Sequence, residues 1–188
     1  ALQTHGLGNG LSVIINSCSQ PGEAVIIFSP VYHSFARIIK ANDRRVHASP
    51  LRIKDGRFKM DLGALAASLT GDEKIMFLCS PHNPGGRVWS AEELRNVALF
   101  CETHDIILVS DEVHHDLIMP GHSHTILAKV APEISRRLIT LVATSKTFNI
   151  AGIETGSMLI PDPALRQRVA RVRHAMNISN NRFGMLMA

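Results

Sequence analysis

Residues 74–110 read KIMFLCSPHNPGGRVWSAEELRNVALFCETHDIILVS. They open with KIMFLCS, a continuous apolar run too short for an ordinary helix and without polar alternation, which predicts a strand buried on both faces. The loop SPHNPGGRVW follows, dense in proline and glycine. SAEELRNVALFCETHD then carries the clearest helical signal in the chain. Ser90 can cap it, and Glu93 three residues on completes a capping box. IILVS is again a short apolar strand. A buried strand, a helix and a second buried strand form the unit from which parallel sheets are built.

The same alternation extends in both directions. Upstream, GNGLSVIINSCS predicts a helix ended by the turn residues QPGE, and AVIIFS a strand. VYHSFARIIKAN predicts a helix, RRVHAS a strand, and MDLGALAASL a helix with Asp61 near its start. Downstream, RLITLVATS and GSMLI predict strands. DPALRQRVARVRHAM predicts a long helix with Asp162 as cap and Pro163 in its first turn. The expected fold is therefore α/β, a mostly parallel sheet with helices on both faces.

Composition narrows the function. The 188 residues are 45% hydrophobic, enough for one substantial core. The net charge of +4 and isoelectric point near 9.3 are mildly basic. The one basic cluster, LRQRVARVRH at 165–174, falls on a predicted helix and reads as a solvated face. With aromatics at only 5%, no stacking platform for nucleic acid is evident, and none is expected as a partner. No apolar run approaches the ~20 residues of a membrane span. Cys18, Cys79 and Cys101 are odd in number and sit in apolar runs, which predicts buried, reduced thiols and a cytoplasmic location. The chain begins without Met and ends without a helix stop, which predicts a piece of a longer protein.

In open parallel sheets ligands bind beyond the carboxyl ends of the strands. Four such ends carry polar residues here: Ser29 to Tyr32, Ser80 to Gly86, Asp111 to His114, and Ser145 with Lys146. One crevice would thus collect a tyrosine, an asparagine set between prolines, an aspartate, a histidine and a lysine. Each has an ordinary reading as a cap, a turn or a snorkelling lysine; their coincidence at strand ends argues for a site. A lysine just past a core strand is badly placed for a solvated charge. A metal site from His114, His115, His122 and His124 is a rival reading, but they form no compact ligand motif.

SPHNPGGRVW, SDEVHHDL and SKTFNIAG, in that order, resemble the active-site segments of fold-type I pyridoxal-phosphate enzymes, the class I/II aminotransferase superfamily. Asp111 follows Asn83 by 28 residues and Lys146 follows Asp111 by 35, spacings that suit the resemblance. Within that superfamily the segments are most similar to the cystathionine β-lyase branch, the MalY/PatB-type C–S lyases. Ordinary aminotransferases more often have Tyr where His114 stands.

The resemblance implies the large cofactor-binding domain of the aspartate aminotransferase-like fold over residues 1–162. Residues 163–188 would lead toward a small domain beyond the chain. It implies pyridoxal 5'-phosphate as cofactor, an amino-acid substrate and a homodimer with sites shared across the interface. Lys146 would be the catalytic residue, bonded to the cofactor through an amine kept unprotonated by burial and later moving the α-proton. Asp111 would pair with the ring nitrogen, an interaction of roughly 4 kcal/mol at ~4 Å and an effective dielectric of ~20. Asn83, stiffened by Pro81 and Pro84, would hydrogen-bond the ring hydroxyl, with His114 beside it. Tyr32 would stack on the ring.

Gly6, Leu7 and Gly8 match the phosphate loop at a helix start, and Ser145 adds a hydroxyl. Two positions depart from the pattern. Ala143 stands where many relatives have a phosphate-binding serine, and Glu154 where many have an arginine. The expected reaction is carbon–sulfur β-elimination from cystathionine or a related cysteine S-conjugate. An aminotransferase is the first alternative and a non-catalytic regulator that keeps the fold the second. With the carboxylate-binding half outside it, the chain alone is expected to turn over no amino acid.

Overall fold

The structure, a computed structural model, describes residues 1–187. Strand β1 (Leu2–His5) runs directly into α1 (Gly6–Cys18), followed by β2 (Ala24–Ser29), α2 (Ser34–Ala41) and β3 (Arg45–Pro50). A short hairpin of β4 (Arg52–Lys54) and β5 (Arg57–Lys59) precedes α3 (Leu62–Ser68). Next come β6 (Glu73–Cys79), α4 (Ala91–Thr103), β7 (Ile107–Asp111) and the single turn α5 (Leu127–Val130). A 3-10 stretch, Pro132–Arg137, leads to β8 (Leu138–Val142). Then β9 (Thr155–Leu159), α6 (Pro163–Ala175) and α7 (Arg182–Met187) complete the described chain.

Seven strands form one sheet in the order β1-β9-β8-β7-β6-β2-β3. From β3 across to β8 every pairing is parallel. Strand β9 is antiparallel to both neighbours, so β1 runs in the same direction as β8. This is the expected α/β fold.

The apolar strand runs are continuous because both faces are covered. Val25, Ile27, Ile75, Phe77, Ile107 and Val109 pack with Leu11, Ile14 and Ile15 of α1, Phe35 and Ile39 of α2, and Leu165 and Val169 of α6. Their chain neighbours Ile26, Phe28, Met76, Leu78 and Leu108 point the other way, onto Leu94, Val97 and Cys101 of α4 and onto Trp89. Alternate strand side chains face opposite layers. Of the three cysteines, all free, Cys79 and Cys101 are buried; Cys18, near the end of α1, is only half-buried.

Caps fall where the sequence places them. Asp61 accepts the Ala64 N–H, and Asp162 the Leu165 N–H. Ser90 Oγ accepts the Glu93 N–H at 3.2 Å, while Glu93 Oε2 accepts the Ser90 N–H at 2.9 Å. Arg87 reaches the same carboxylate at 2.8 Å and donates to the Phe58 carbonyl at 2.6 Å, tying the β4–β5 hairpin to the start of α4. Ser90→Ala is expected to cost about 1 kcal/mol, read as a lower urea midpoint with an unchanged slope. An unshifted midpoint would show that the Glu93 carboxylate, held by Arg87 and the residue-90 N–H, fixes this end of the helix without the serine hydroxyl.

Candidate functional site

All five parallel strands from β3 to β8 end on one edge. Their register sets Cys79, Asp111 and Leu141 level with one another. Asp111 shares the parity of Ile107 and Val109, so its side chain faces the α1 and α2 layer. On the far side, His5 of β1 lies opposite Thr155, so α1 also begins at this edge. Beyond it lies a cavity of about 240 Å³ lined by Gly6, Leu7, Gly8, Tyr32, Asn83, Asp111, His114, Ser145 and Lys146. Every candidate cofactor-site residue named from the sequence therefore reaches one cavity, whereas His115, His122 and His124 of the rival metal reading do not line it and form no metal-holding cluster among the described residues. Arg37, Cys79 and Glu154 line it too.

Asp111 is buried, and its Oδ1 accepts the Val113 N–H at 3.2 Å. No cation among the described residues lies within ion-pair distance of it. Burial pushes its pKa up to about 6; the Val113 hydrogen bond opposes this, the Glu112 charge beside it adds to it, and the more distant Lys146 charge opposes it weakly. Next to it, burial and the Asp111 charge push the Cys79 thiol up to about 12. Cys79 therefore keeps its proton and donates to the Pro81 carbonyl at 3.3 Å, while its sulfur accepts the Asn83 N–H at 3.3 Å. The thiol closes the turn that presents Asn83. Deeper in the same loop, His82 is buried against Trp89 and accepts the Gly85 N–H.

Tyr32 is positioned through aromatic contacts. Its ring meets Phe35 edge-on at 5.8 Å, and Phe35 meets Phe77 of the core at 5.2 Å. His114 is held below its ordinary pKa, first by burial and then by the charge of Lys146, so it is a neutral imidazole near pH 7.

Lys146 departs from the expectation of a buried lysine: it is exposed. The chain leaves the sheet after Val142, three residues before the end of the predicted strand. Turns closed by Phe148 N–H to the Thr144 carbonyl and Ile150 N–H to the Ser145 carbonyl carry Lys146 to the cavity rim.

At the opposite end, α1 starts without a side-chain cap, and its first turn holds no acidic residue. Its leading N–H groups are free to meet an anion. Gly6 has φ of +69°, and the carboxylate of Glu154 fills the space that a side chain at position 6 would need. Asn83 and His114 also border a wider cleft of about 1070 Å³, lined by the β4–β5 hairpin with Leu117, Met119 and His122, so the two spaces adjoin.

Residues 2–186 match the family described as aminotransferase class I and II. The chain belongs to that family. Among its members, the cystathionine β-lyase PatB of Bacillus subtilis is 36% identical over 184 residues, 97% of this chain and 46% of that protein. Protein MalY of Escherichia coli is 35% identical over 157 residues, 83% of this chain and 40% of that protein. Cystalysin from Treponema denticola, whose crystal structure contains a pyridoxal 5'-phosphate cofactor, superposes with a TM-score of 0.92 at 36% identity, covering 97% of this chain and 47% of that one. The chain thus spans less than half the length of these relatives.

The aminotransferase-family residues suit pyridoxal phosphate on structural grounds. A buried carboxylate without an ion-pair partner among the described residues suits a protonated ring nitrogen, an uncapped helix start suits a phosphate, and an amine at the rim suits an aldehyde. Arg37 and Cys79 escaped sequence reading. The signal for Cys79 was the same as for Asp111, the last position of a core strand. For Arg37 it was a helix that starts directly after Tyr32 and so must flank the same crevice.

Proposed function

We propose that this chain forms the cofactor-binding wall of a pyridoxal-phosphate-dependent carbon–sulfur β-lyase. Its substrate is cystathionine or a related cysteine S-conjugate, and the products are a thiol, ammonia and pyruvate. The carrying observation is the convergence of Lys146, Asp111, Asn83, His114, Tyr32 and the Gly6–Gly8 turn on one cavity beyond the strand ends. Similarity to PatB and MalY favours the lyase over transamination.

When bound, pyridoxal phosphate supplies an electron sink at the substrate's α-carbon. Asp111 would accept the ring N–H and keep that nitrogen protonated. Asn83 would donate to the ring oxygen, with neutral His114 near it, and Tyr32 would pack on the ring. Lys146 takes the proton from the α-carbon; the electron pair moves to the Cα–Cβ bond and the Cβ–S bond breaks. The thiolate leaves, and water converts the remaining three-carbon unit to ammonia and pyruvate. The wide cleft past Asn83 and His114 gives the sulfur substituent its way in and out.

The same reading makes the intact protein a cytoplasmic homodimer acting on a small amino acid. The free thiols support the location, and the dimer rests on the resemblance; a gel-filtration mass checks it. The test of the reaction is pyruvate release from cystathionine by the intact protein. Release without added keto acid is the expected result. Turnover that requires a keto acid would assign the site to transamination instead.

A further inference from the structure

We propose that Arg37 supplies the positive charge for the cofactor's phosphate. The inference rests on the pyridoxal-phosphate reading and answers what stands in for an arginine at position 154. A phosphate monoester carries a charge of about −1.5 to −2 near neutral pH, and a cavity that takes it needs a cation. Among the described residues lining this cavity the basic side chains are Lys146 and Arg37. Lys146 is committed to the aldehyde end. Asp111 and Glu154 are the acids, and Glu154 packs against Gly6, on the turn whose N–H groups would face the phosphate. A like charge there makes a compensating cation more necessary.

Arg37 lies on the element that abuts that turn. The Ile38 side chain of α2 comes within 3.8 Å of the point where a Cβ on Gly8 would stand. The Arg37 side chain is exposed and forms no ion pair among the described residues. Its one side-chain hydrogen bond among the described residues is a 3.5 Å contact to Ser34 Oγ, at the outer limit of such a bond. The guanidinium is thus uncommitted, long enough to swing, and shaped to hold two phosphate oxygens at once.

The experiment is a titration of the intact protein with pyridoxal phosphate and, in parallel, with pyridoxal, which lacks the phosphate. Binding is followed by the cofactor's absorption in the parent, Arg37→Gln and Arg37→Lys. Because residue 37 is exposed, circular dichroism and melting temperature are expected to be unchanged in both variants. Arg37→Gln should weaken pyridoxal phosphate about tenfold to a hundredfold, the range for a lost hydrogen bond to a charged group. It should leave pyridoxal unaffected, and Arg37→Lys should recover part of the loss. Inorganic phosphate should compete with the cofactor in the parent more strongly than in Arg37→Gln. Equal affinity of parent and Arg37→Gln for pyridoxal phosphate would overturn the assignment, as would equal weakening of both ligands, which marks a packing role. A parent that binds neither ligand would refute the cofactor reading itself, and the assignment with it.

Discussion

Lys146→Ala is expected to lose all borohydride-fixed cofactor. The parent, mixed with pyridoxal phosphate and reduced, should carry one cofactor on the peptide that contains Lys146. The reasoning is geometric. Five other lysines are present, at 40, 54, 59, 74 and 129, and among these only Lys59 borders the adjoining cleft; none lines the cavity that holds Asp111. Lys59 lies 3.7 Å from Glu93, which draws it toward a carboxylate. In the intact protein, loss of the Lys146 amine should lower turnover by at least about 10²–10⁴-fold, the usual worth of a positioned acid–base group. Peptide mapping decides the matter. A label on any other lysine would place the chemistry elsewhere, and an undiminished turnover in Lys146→Ala would remove it from the proton transfer.

Much of this was legible in the sequence, for identifiable reasons. KIMFLCS and IILVS are apolar throughout because helices cover both sheet faces, so their strands and the residues just past them could be read directly. Asp111 and Asn83 sit at those ends. Strand β1 and the separate β4–β5 hairpin were not legible. Strand β1 is four residues long and runs without a turn into α1, so nothing in LQTH marks a boundary. The hairpin strands β4 and β5 have three mostly exposed residues each, too few for their alternation to stand out.

The exposure of Lys146 was also hidden. RLITLVATS looks like one strand, but pairing with β9 stops at Val142, and the turns that follow decide where the side chain goes. Arg37 was hidden for a different reason. Its place depends on the packing of α2 beside the glycine turn, a contact between segments with no local signature.

Asp111→Asn is expected to raise the stability of the cofactor-free chain at pH 7.5 while weakening pyridoxal phosphate binding. The Asp111 carboxyl titrates near 6 in the folded chain against an ordinary 3.8, chiefly because of burial. Below about pH 3.8 both folded and unfolded chains hold the proton, and the group has no effect. As pH rises from there to about 6, the unfolded chain releases its proton first, so folding stability falls. Above that range the loss levels off at about 3 kcal/mol, from roughly two pKa units. Asparagine removes this term and keeps an oxygen to accept the Val113 N–H. The variant should therefore exceed the parent in urea stability at pH 7.5 by an amount approaching that figure, and the two should converge near pH 4. A variant no more stable than the parent at pH 7.5 would mean that the carboxylate is already compensated without the cofactor. With cofactor bound the order should reverse, because the parent alone can pair a carboxylate with a protonated ring nitrogen, the interaction of roughly 4 kcal/mol set out above. A carboxylate that destabilises the empty chain and is relieved by its ligand couples folding to cofactor binding.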